Sequence, residues 1–266
     1  MEHQSGPGSE PSIQEATIFM DSLNAPFKEQ DERQLLRLVC HSDPDIRDRA
    51  DDELCQFGSE YSLLAARCAI SDENEFVRNT AMEIIGEIGN AQDLRRVSHG
   101  LHDESWLVRA SAASAMGAIG SQGNHRHVAR ELIFVIENDT VPHVRRYAIV
   151  AYSTIMKSNA LRLLNRRRRM ETDVLALCGV YSSLYRLGVK SALKELITVV
   201  MSGSVPEALV AINCLSDVDP EDFHTVIEAL KRGIKHRRHR AVIGDARAII
   251  EKLQAQAREW PPNETP

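Results

Sequence analysis

The chain has 266 residues and a formal net charge of −6, a length that suits one long repeat array or two small globular domains. No run of apolar residues approaches the roughly eighteen that a membrane helix needs, and the polar, acidic beginning of the chain is unlike a secretory signal. A hydrophobic fraction of 43% with only 5% aromatic residues favours helices packed through Ala, Leu and Ile over a β-rich fold. We therefore expect an all-α protein in the cytoplasm.

The predicted elements are helices along almost the whole chain. Residues 1–12 are rich in Gly, Ser, Pro and Glu and predict a disordered tail, and a helix at Ile13–Leu23 would cap the first repeat. The predicted pairs that follow are Glu32–Cys40 with Asp45–Phe57, Glu60–Ile70 with Glu75–Ile88, Ala91–Leu101 with Glu104–Ile119, His127–Glu137 with Val141–Met156, Ala160–Arg169 with Thr172–Leu187, Ser191–Met201 with Pro206–Cys214, and Pro220–Gly233 with Arg240–Gln256. Two prolines then end the last helix, and residues 258–266 predict a second disordered tail.

The stretch Glu104–Gly120 shows the helical pattern most clearly. Leu107, Ala112, Met116 and Ile119 fall on one face, which predicts a buried side for this helix. The stretch is also rich in Ala and Gly, and such small residues allow a second helix to approach closely. The glycine at its end is a common helix stop.

An arginine recurs in four of the predicted second helices. Arg47, Arg78 and Arg109 are spaced by 31 residues, and Arg145 follows 36 residues later. An alanine stands three residues after each arginine and a large apolar residue stands ten after it. An aspartate precedes each one in the turn, and these aspartates are Asp43, Asp72, Asp103 and Asp139. A fixed period in this range is typical of a stacked repeat array.

This pattern resembles the HEAT repeat, particularly the short bilin-lyase-type variety. The best matches are Asp72–Gly89 and Asp103–Gly120, where an aspartate, a polar turn, Val-Arg, Ala and a closing Ile-Gly follow one another. The resemblance implies an α-solenoid of about six to seven antiparallel helix pairs. We expect a single array over residues 13–257, with clear repeats at 32–157 and degenerate repeats at 158–257.

The repeated charges have two interpretations. In the structural one, each aspartate accepts backbone N–H groups at the next helix, and each arginine bonds a carboxylate or carbonyl oxygen in the adjacent repeat. In the functional one, the four arginines form a row that binds a ligand. Because the pair recurs in every clear copy, we predict a structural ladder between repeats.

The five cysteines indicate no metal or redox site. They form no CxxC pair and lie in helical patterns, so we interpret them as small buried side chains in a reducing compartment. They are Cys40, Cys55, Cys68, Cys178 and Cys214.

Enzymatic activity has little support in the sequence. No GxSxG, P-loop, HExxH or Rossmann fingerprint is present. Deoxyhypusine hydroxylase, a similar HEAT array, binds iron through His-Glu pairs, and this chain contains no His-Glu dipeptide. The repeat type is shared with bilin lyases, which leaves a lyase-like subunit as one alternative. We predict no catalytic residue, no cofactor and no metal.

The class that remains is a module that binds a protein partner, as a scaffold, an adaptor or an inhibitor of the immunity type. Repeat arrays present a long surface lined by their second helices. Trp106 lies in the first turn of one of these helices, where other copies have proline or glutamate, and is a candidate anchor. The alternative is that Trp106 packs over the neighbouring turn.

The uneven distribution of charge along the chain indicates a second candidate surface for a partner. Residues 1–120 hold 22 acidic and 10 basic side chains, whereas residues 121–266 hold 16 and 22. The basic residues cluster after the first helices of two pairs, so we predict one positive strip that faces an acidic partner. A nucleic acid is the alternative ligand, and solvated helix ends are the interpretation without any ligand. The candidate residues are Arg166, Arg167, Arg168, Arg169, Lys235, Arg237, Arg238 and Arg240.

Overall fold

The structure is a computed structural model that describes residues 11–23, 28–57, 59–120, 125–237 and 239–259. These residues form fifteen α-helices, a few short 3-10 turns and no β-strand, which confirms the all-α prediction. The helices are α1 Ile13–Asp21, α2 Glu29–Leu38, α3 Pro44–Phe57, α4 Glu60–Ala69, α5 Glu75–Ile88, α6 Leu94–Gly100, α7 Trp106–Gly120, α8 His125–Asn138, α9 Pro142–Met156, α10 Leu161–Met170, α11 Val174–Arg186, α12 Ala192–Ser202, α13 Val205–Cys214, α14 Phe223–His236 and α15 Arg240–Glu259.

All seven predicted helix pairs are present. After α1, each even-numbered helix is followed by a short turn and the odd-numbered second helix of its pair. The chain divides into two compact units, Met1–Val128 and Ala129–Pro266, and the division falls inside α8. We call these unit 1 and unit 2. A single array over residues 13–257 stays a prediction, and both predicted tails lie largely outside the described residues.

Within each unit the second helices pack side by side. The order is α3, α5 and α7 in unit 1, and α9, α11, α13 and α15 in unit 2. Small residues set the spacing in unit 1, because a Cβ added to Gly86 would lie 3.1 Å from the backbone of Ala115. A Cβ on Gly100 would similarly meet Ala112, so α6 also approaches α7 closely. The predicted close approach to this helix is confirmed.

Local signals place the helix ends as the sequence predicts. Pro142 occupies the first turn of α9, where its missing N–H costs no hydrogen bond. Gly188 follows α11 with a φ of 89°, a conformation that residues with a Cβ rarely adopt. The start of α9 at Pro142 thereby places Arg145 in the first turns of this helix.

Two burial predictions need correction. Cys178 is buried and Cys55 and Cys214 are partly buried, but Cys40, in the turn after α2, and Cys68, on α4, are exposed, so the prediction that all five cysteines are buried is wrong. On the predicted face of α7, Ala112, Met116 and Ile119 are buried, but Leu107 is only partly buried. Its neighbour Val108 is fully buried instead.

No helix among the described residues is long and apolar enough to cross a bilayer.

Candidate functional site

The repeated arginines hold the turns of their own repeats. One terminal nitrogen of each guanidinium donates to two backbone carbonyl oxygens in the preceding turn, at 2.7 to 3.2 Å. The acceptors are the carbonyls of His41 and Ser42 for Arg47, Asp72 and Glu73 for Arg78, Asp103 and Glu104 for Arg109, and Asp139 and Thr140 for Arg145. We call this set of contacts the arginine ladder.

Within the described part of the chain, Arg78 and Arg145 are seen to bond the next repeat as well. Arg78 donates to both carboxylate oxygens of Asp103 at 2.8 Å, and Arg145 donates to those of Glu171 at 2.9 and 3.0 Å. Arg47 instead stacks on the ring of Phe76 in the next repeat, 4.4 Å from its centroid. The structural interpretation of the repeated charges is therefore confirmed for Arg78 and Arg145, whereas among the described residues Arg47 bonds only carbonyl oxygens of its own turn and departs from the predicted bond to the adjacent repeat.

The carboxylates of the ladder are held in their ionised form. Burial raises the pKa of Glu171, but hydrogen bonds from Arg145, the Asp173 backbone and Arg167 outweigh it and lower the pKa to about 2. At Asp103, burial likewise raises the pKa, and the hydrogen bonds from Arg78 lower it. The lowering is larger, so the pKa of Asp103 lies below its ordinary value. Because these ions pair with each other, they offer little charge to a ligand.

The first basic cluster, Arg166–Arg169, also forms ion pairs within unit 2. Arg166 pairs with Glu137, Arg167 with Glu171, and Arg168 with Glu195. These glutamates lie on α8, the turn before α11, and α12, so the pairs tie α10 to its surroundings.

The fourth arginine of this cluster and the second basic cluster are more open. Arg169, Lys235 and Arg240 are exposed, while Arg237 donates to the Val200 carbonyl oxygen at 2.9 Å. Arg238 lies outside the described residues. The positive strip therefore stays a prediction, with Arg169, Lys235 and Arg240 as its best-placed members.

Trp106 is the first residue of α7 and is 45% exposed. Much of its indole is therefore accessible at the turn of the third repeat. It remains a candidate anchor for a partner.

A groove in unit 2 gathers residues that the sequence reasoning missed. It lies across the neighbouring second helices α9, α11 and α13 and encloses a cavity of about 180 Å³. We call it the unit-2 groove. Its lining residues are Arg146, Tyr147, Val150, Ser182, Tyr185, Arg186, Asn213, Cys214, Ser216 and Asp217.

An arginine and a tyrosine dominate the mouth of this groove. Tyr147 is 37% exposed, and the guanidinium carbon of Arg146 lies 4.3 Å from the centroid of its ring. The Nε of Arg146 is buried and has no hydrogen-bond partner among the described residues. Arg186, on α11, is exposed, and no ion pair ties it to another described residue.

The wall of the groove is fixed by a hydrogen-bond network. The buried Tyr185 hydroxyl donates to Asp222 at 2.6 Å and accepts the Asp219 backbone N–H at 2.9 Å. The Lys190 ammonium group pairs with the carboxylates of Asp219 and Asp222 and lies over the Tyr185 ring. These contacts hold the Tyr185 side chain from several sides.

Three thiols of the chain, Cys55, Cys178 and Cys214, are poorly suited to nucleophilic catalysis. Burial raises the pKa of Cys214 in the groove, although the nearby Arg146 opposes the shift. Burial also raises the pKa of Cys178 to about 12 and that of Cys55 further. A catalytic cysteine needs a lowered pKa, so these three thiols stay protonated at neutral pH.

Unit 1 has a carboxyl pair on its second helices. The ligand atoms of Asp51, Cys55 and Glu83 all lie within 4.8 Å of one another, and Glu83 contacts the Ser111 hydroxyl at 2.9 Å. Burial, and then the neighbouring Asp51, raise the pKa of Glu83 to about 8. These three side chains are of types that could ligate a cation. The raised pKa favours a proton on Glu83, which can be donated to Asp51 and so reduces the repulsion between the two carboxyl groups.

Comparison with known families identifies the repeat. The family model described as HEAT repeats matches residues 33–117. Residues 33–117 are HEAT repeats. These HEAT repeats include the clearest copies of the arginine ladder, and the resemblance found in the sequence is confirmed there.

A solved structure extends the comparison to nearly the whole chain. The complex of CpcE and CpcF of phycocyanin lyase from Nostoc sp. PCC7120 contains a chain that is 15% identical to this one, with a TM-score of 0.55. The alignment covers 95% of this chain and 98% of that chain. At this identity the similarity shows the fold, and it confirms the α-solenoid class. No curated protein sequence matches significantly.

Proposed function

We propose that this chain is a non-enzymatic protein-binding module of the HEAT-repeat type, and that it holds its partner on the second helices of unit 2. The observation that carries the proposal is the unit-2 groove, where Arg146 stacks on the exposed Tyr147. Tyrosine and arginine are the residue types most enriched at the energetic centres of protein interfaces. The hydrogen bonds that hold Tyr185 in the wall of the groove support the proposal, because a preorganised surface loses less entropy on binding.

Affinity purification from native extract with mass spectrometry tests this function. Three baits are compared: the wild-type chain, Tyr147→Ala, and Phe134→Ala as a control. Phe134 is an aromatic residue on the first helix α8 and is 56% exposed, so its removal matches the loss of apolar surface away from the groove. We expect a protein that wild type and the control retain, and that Tyr147→Ala retains at least about tenfold less.

The same purification discriminates the alternatives. Equal retention by all three baits would contradict the groove as the binding surface. Recovered RNA or DNA with no groove-dependent protein would favour nucleic-acid binding through the basic residues, of which Arg169, Lys235 and Arg240 are the most open.

The similar fold of a lyase chain keeps a lyase-like subunit as the second candidate. Absorbance spectra of the purified chain separate this candidate from a binding module. A bound tetrapyrrole absorbs visible light, and a chain that carries one would support the lyase-like function. We expect a spectrum with protein absorbance alone.

A further inference from the structure

Most arginines in unit 2 that are partly buried have an oxygen acceptor among the described residues, but Arg146 does not, and it shares the groove with the exposed Arg186. Arg145, Arg167 and Arg168 each pair with a glutamate. Arg146 and Arg186 line one cavity, and neither forms an ion pair with another described residue. We propose, resting on the function proposed above, that these two form a clamp for a carboxylate of an acidic segment in the partner protein.

The position of Arg146 favours an anionic ligand. Its buried Nε–H lacks a hydrogen-bond partner in the described part of the chain, and buried donors are normally satisfied. The neighbouring Cys214 offers only a protonated thiol, since burial raises its pKa. The contact with the Tyr147 ring helps to hold the guanidinium in place, so that its N–H groups can donate to both oxygens of a carboxylate.

The rest of the cavity favours a single carboxylate over a phosphate backbone. Asp217 also lines the cavity, so its carboxylate disfavours the several successive charges of a phosphate backbone more than the single charge of one carboxylate. A volume of about 180 Å³ admits an amino-acid side chain but is small for a nucleotide. Tyr147 and Val150 give the groove an apolar wall, which suits an apolar residue next to the acidic one.

Fluorescence anisotropy with a labelled octapeptide of alternating glutamate and leucine tests the clamp. Its matched probe replaces every glutamate by glutamine, which keeps shape and removes charge. We expect the glutamate peptide to bind and the glutamine peptide to bind at least about tenfold more weakly, since one charge of each pair is lost. Equal binding of the two, or no binding of the glutamate peptide at about 1 mM, would overturn the clamp.

Variants of the chain locate the binding. Arg146→Gln is expected to weaken the glutamate peptide about tenfold or more, and Arg186→Gln by a smaller factor because Arg186 is exposed. Arg146→Lys keeps the charge and loses the fork, so its loss should lie between wild type and Arg146→Gln. Arg162→Gln, an exposed arginine on α10 outside the groove, is the control and should have no effect. Melting temperatures establish that each variant is folded.

The two proposals fail separately. A captured partner that depends on Tyr147 but is indifferent to Arg146→Gln and Arg186→Gln would overturn the clamp and leave the groove as the partner surface. A labelled oligonucleotide that binds more tightly than the glutamate peptide, with the same dependence on Arg146, would overturn the choice of a carboxylate.

Discussion

Arg145 and Arg146 are adjacent in the sequence and belong to two regions with different chemistry. Arg145 is part of the arginine ladder and bonds two carbonyl oxygens and both oxygens of Glu171. Arg146 points to the unit-2 groove, where its Nε lacks a partner among the described residues. The charge at the repeated position is paired within the fold, whereas the charge at the unrepeated position forms no ion pair with another described residue and, in the proposed clamp, pairs with a ligand carboxylate.

The same contrast appears when the copies are aligned on the ladder. The position after the repeated arginine holds Asp48, Asn79, Ala110 and Arg146 in successive copies. The turn chemistry therefore stays constant while the neighbouring position changes from acidic to basic. Architecture and recognition are carried by adjacent residues of one helix.

The largest effect should follow from breaking the ladder. Arg145→Ala leaves Glu171 buried with one of its two arginines removed, and we expect the free energy of unfolding to fall by about 3 kcal/mol. Arg78→Ala, which strands Asp103, should cost about 1–3 kcal/mol. Urea denaturation measures both, with Arg162→Ala as the exposed control. If either variant kept its full stability yet lost the partner, the ladder would be a binding site.

The second prediction compares two carboxyls through pH. Glu171 has a lowered pKa, so its stabilising effect is present above the ordinary glutamate pKa and is lost as the pH falls towards 2. Glu83 has a pKa raised to about 8, so its contribution is complete below the ordinary value and is lost as the pH rises through 8. The two regions should therefore respond to pH with opposite signs.

Melting temperatures at pH 5, 7 and 9 test this for Glu83. The wild-type chain should lose stability towards pH 9, and Glu83→Gln should flatten that loss because glutamine does not ionise. Ser111 can still bond the amide oxygen of the variant. The same slope in both chains would show that Glu83 is not the group that titrates.

A smaller effect should follow from removing the unpartnered charge in the groove. Arg146→Met keeps much of the packing and removes a buried donor without an acceptor, so we expect unchanged stability or a gain of up to about 1 kcal/mol. Binding of the glutamate peptide should be lost in the same variant. A loss of stability as large as that of Arg145→Ala would place Arg146 in the architecture after all.

The smallest effect is expected at Trp106. Because its side chain is 45% exposed, Trp106→Ala should change the free energy of unfolding by no more than about 0.5 kcal/mol. The affinity for a captured partner should fall less than it does in Tyr147→Ala. A larger fall would move the main anchor from the groove to the turn of the third repeat.

The sequence was sufficient to predict the helix pairs, the turn aspartates and the ladder, because each repeats at a fixed spacing. It did not reveal the groove, since Arg146, Arg186 and Cys214 come together only through the packing of α9, α11 and α13. The pairing of Arg166 with Glu137, 29 residues away, was missed for the same reason. The sequence did contain one signal for the groove. At the position after the repeated arginine, Arg146 is the basic residue, whereas the other three copies have Asp48, Asn79 and Ala110.

The side-chain bonds from Arg78 to Asp103 and from Arg145 to Glu171 span only 25 and 26 residues. Such short separations allow each pair to form against its immediate neighbour, without closing a long loop first. Folding can then start at any well-formed pair and spread to the next one. Backbone amides should accordingly exchange with solvent fastest in the end pair of unit 2, which has a neighbour on only one side, and most slowly in helices such as α5 and α11, which are flanked on both sides.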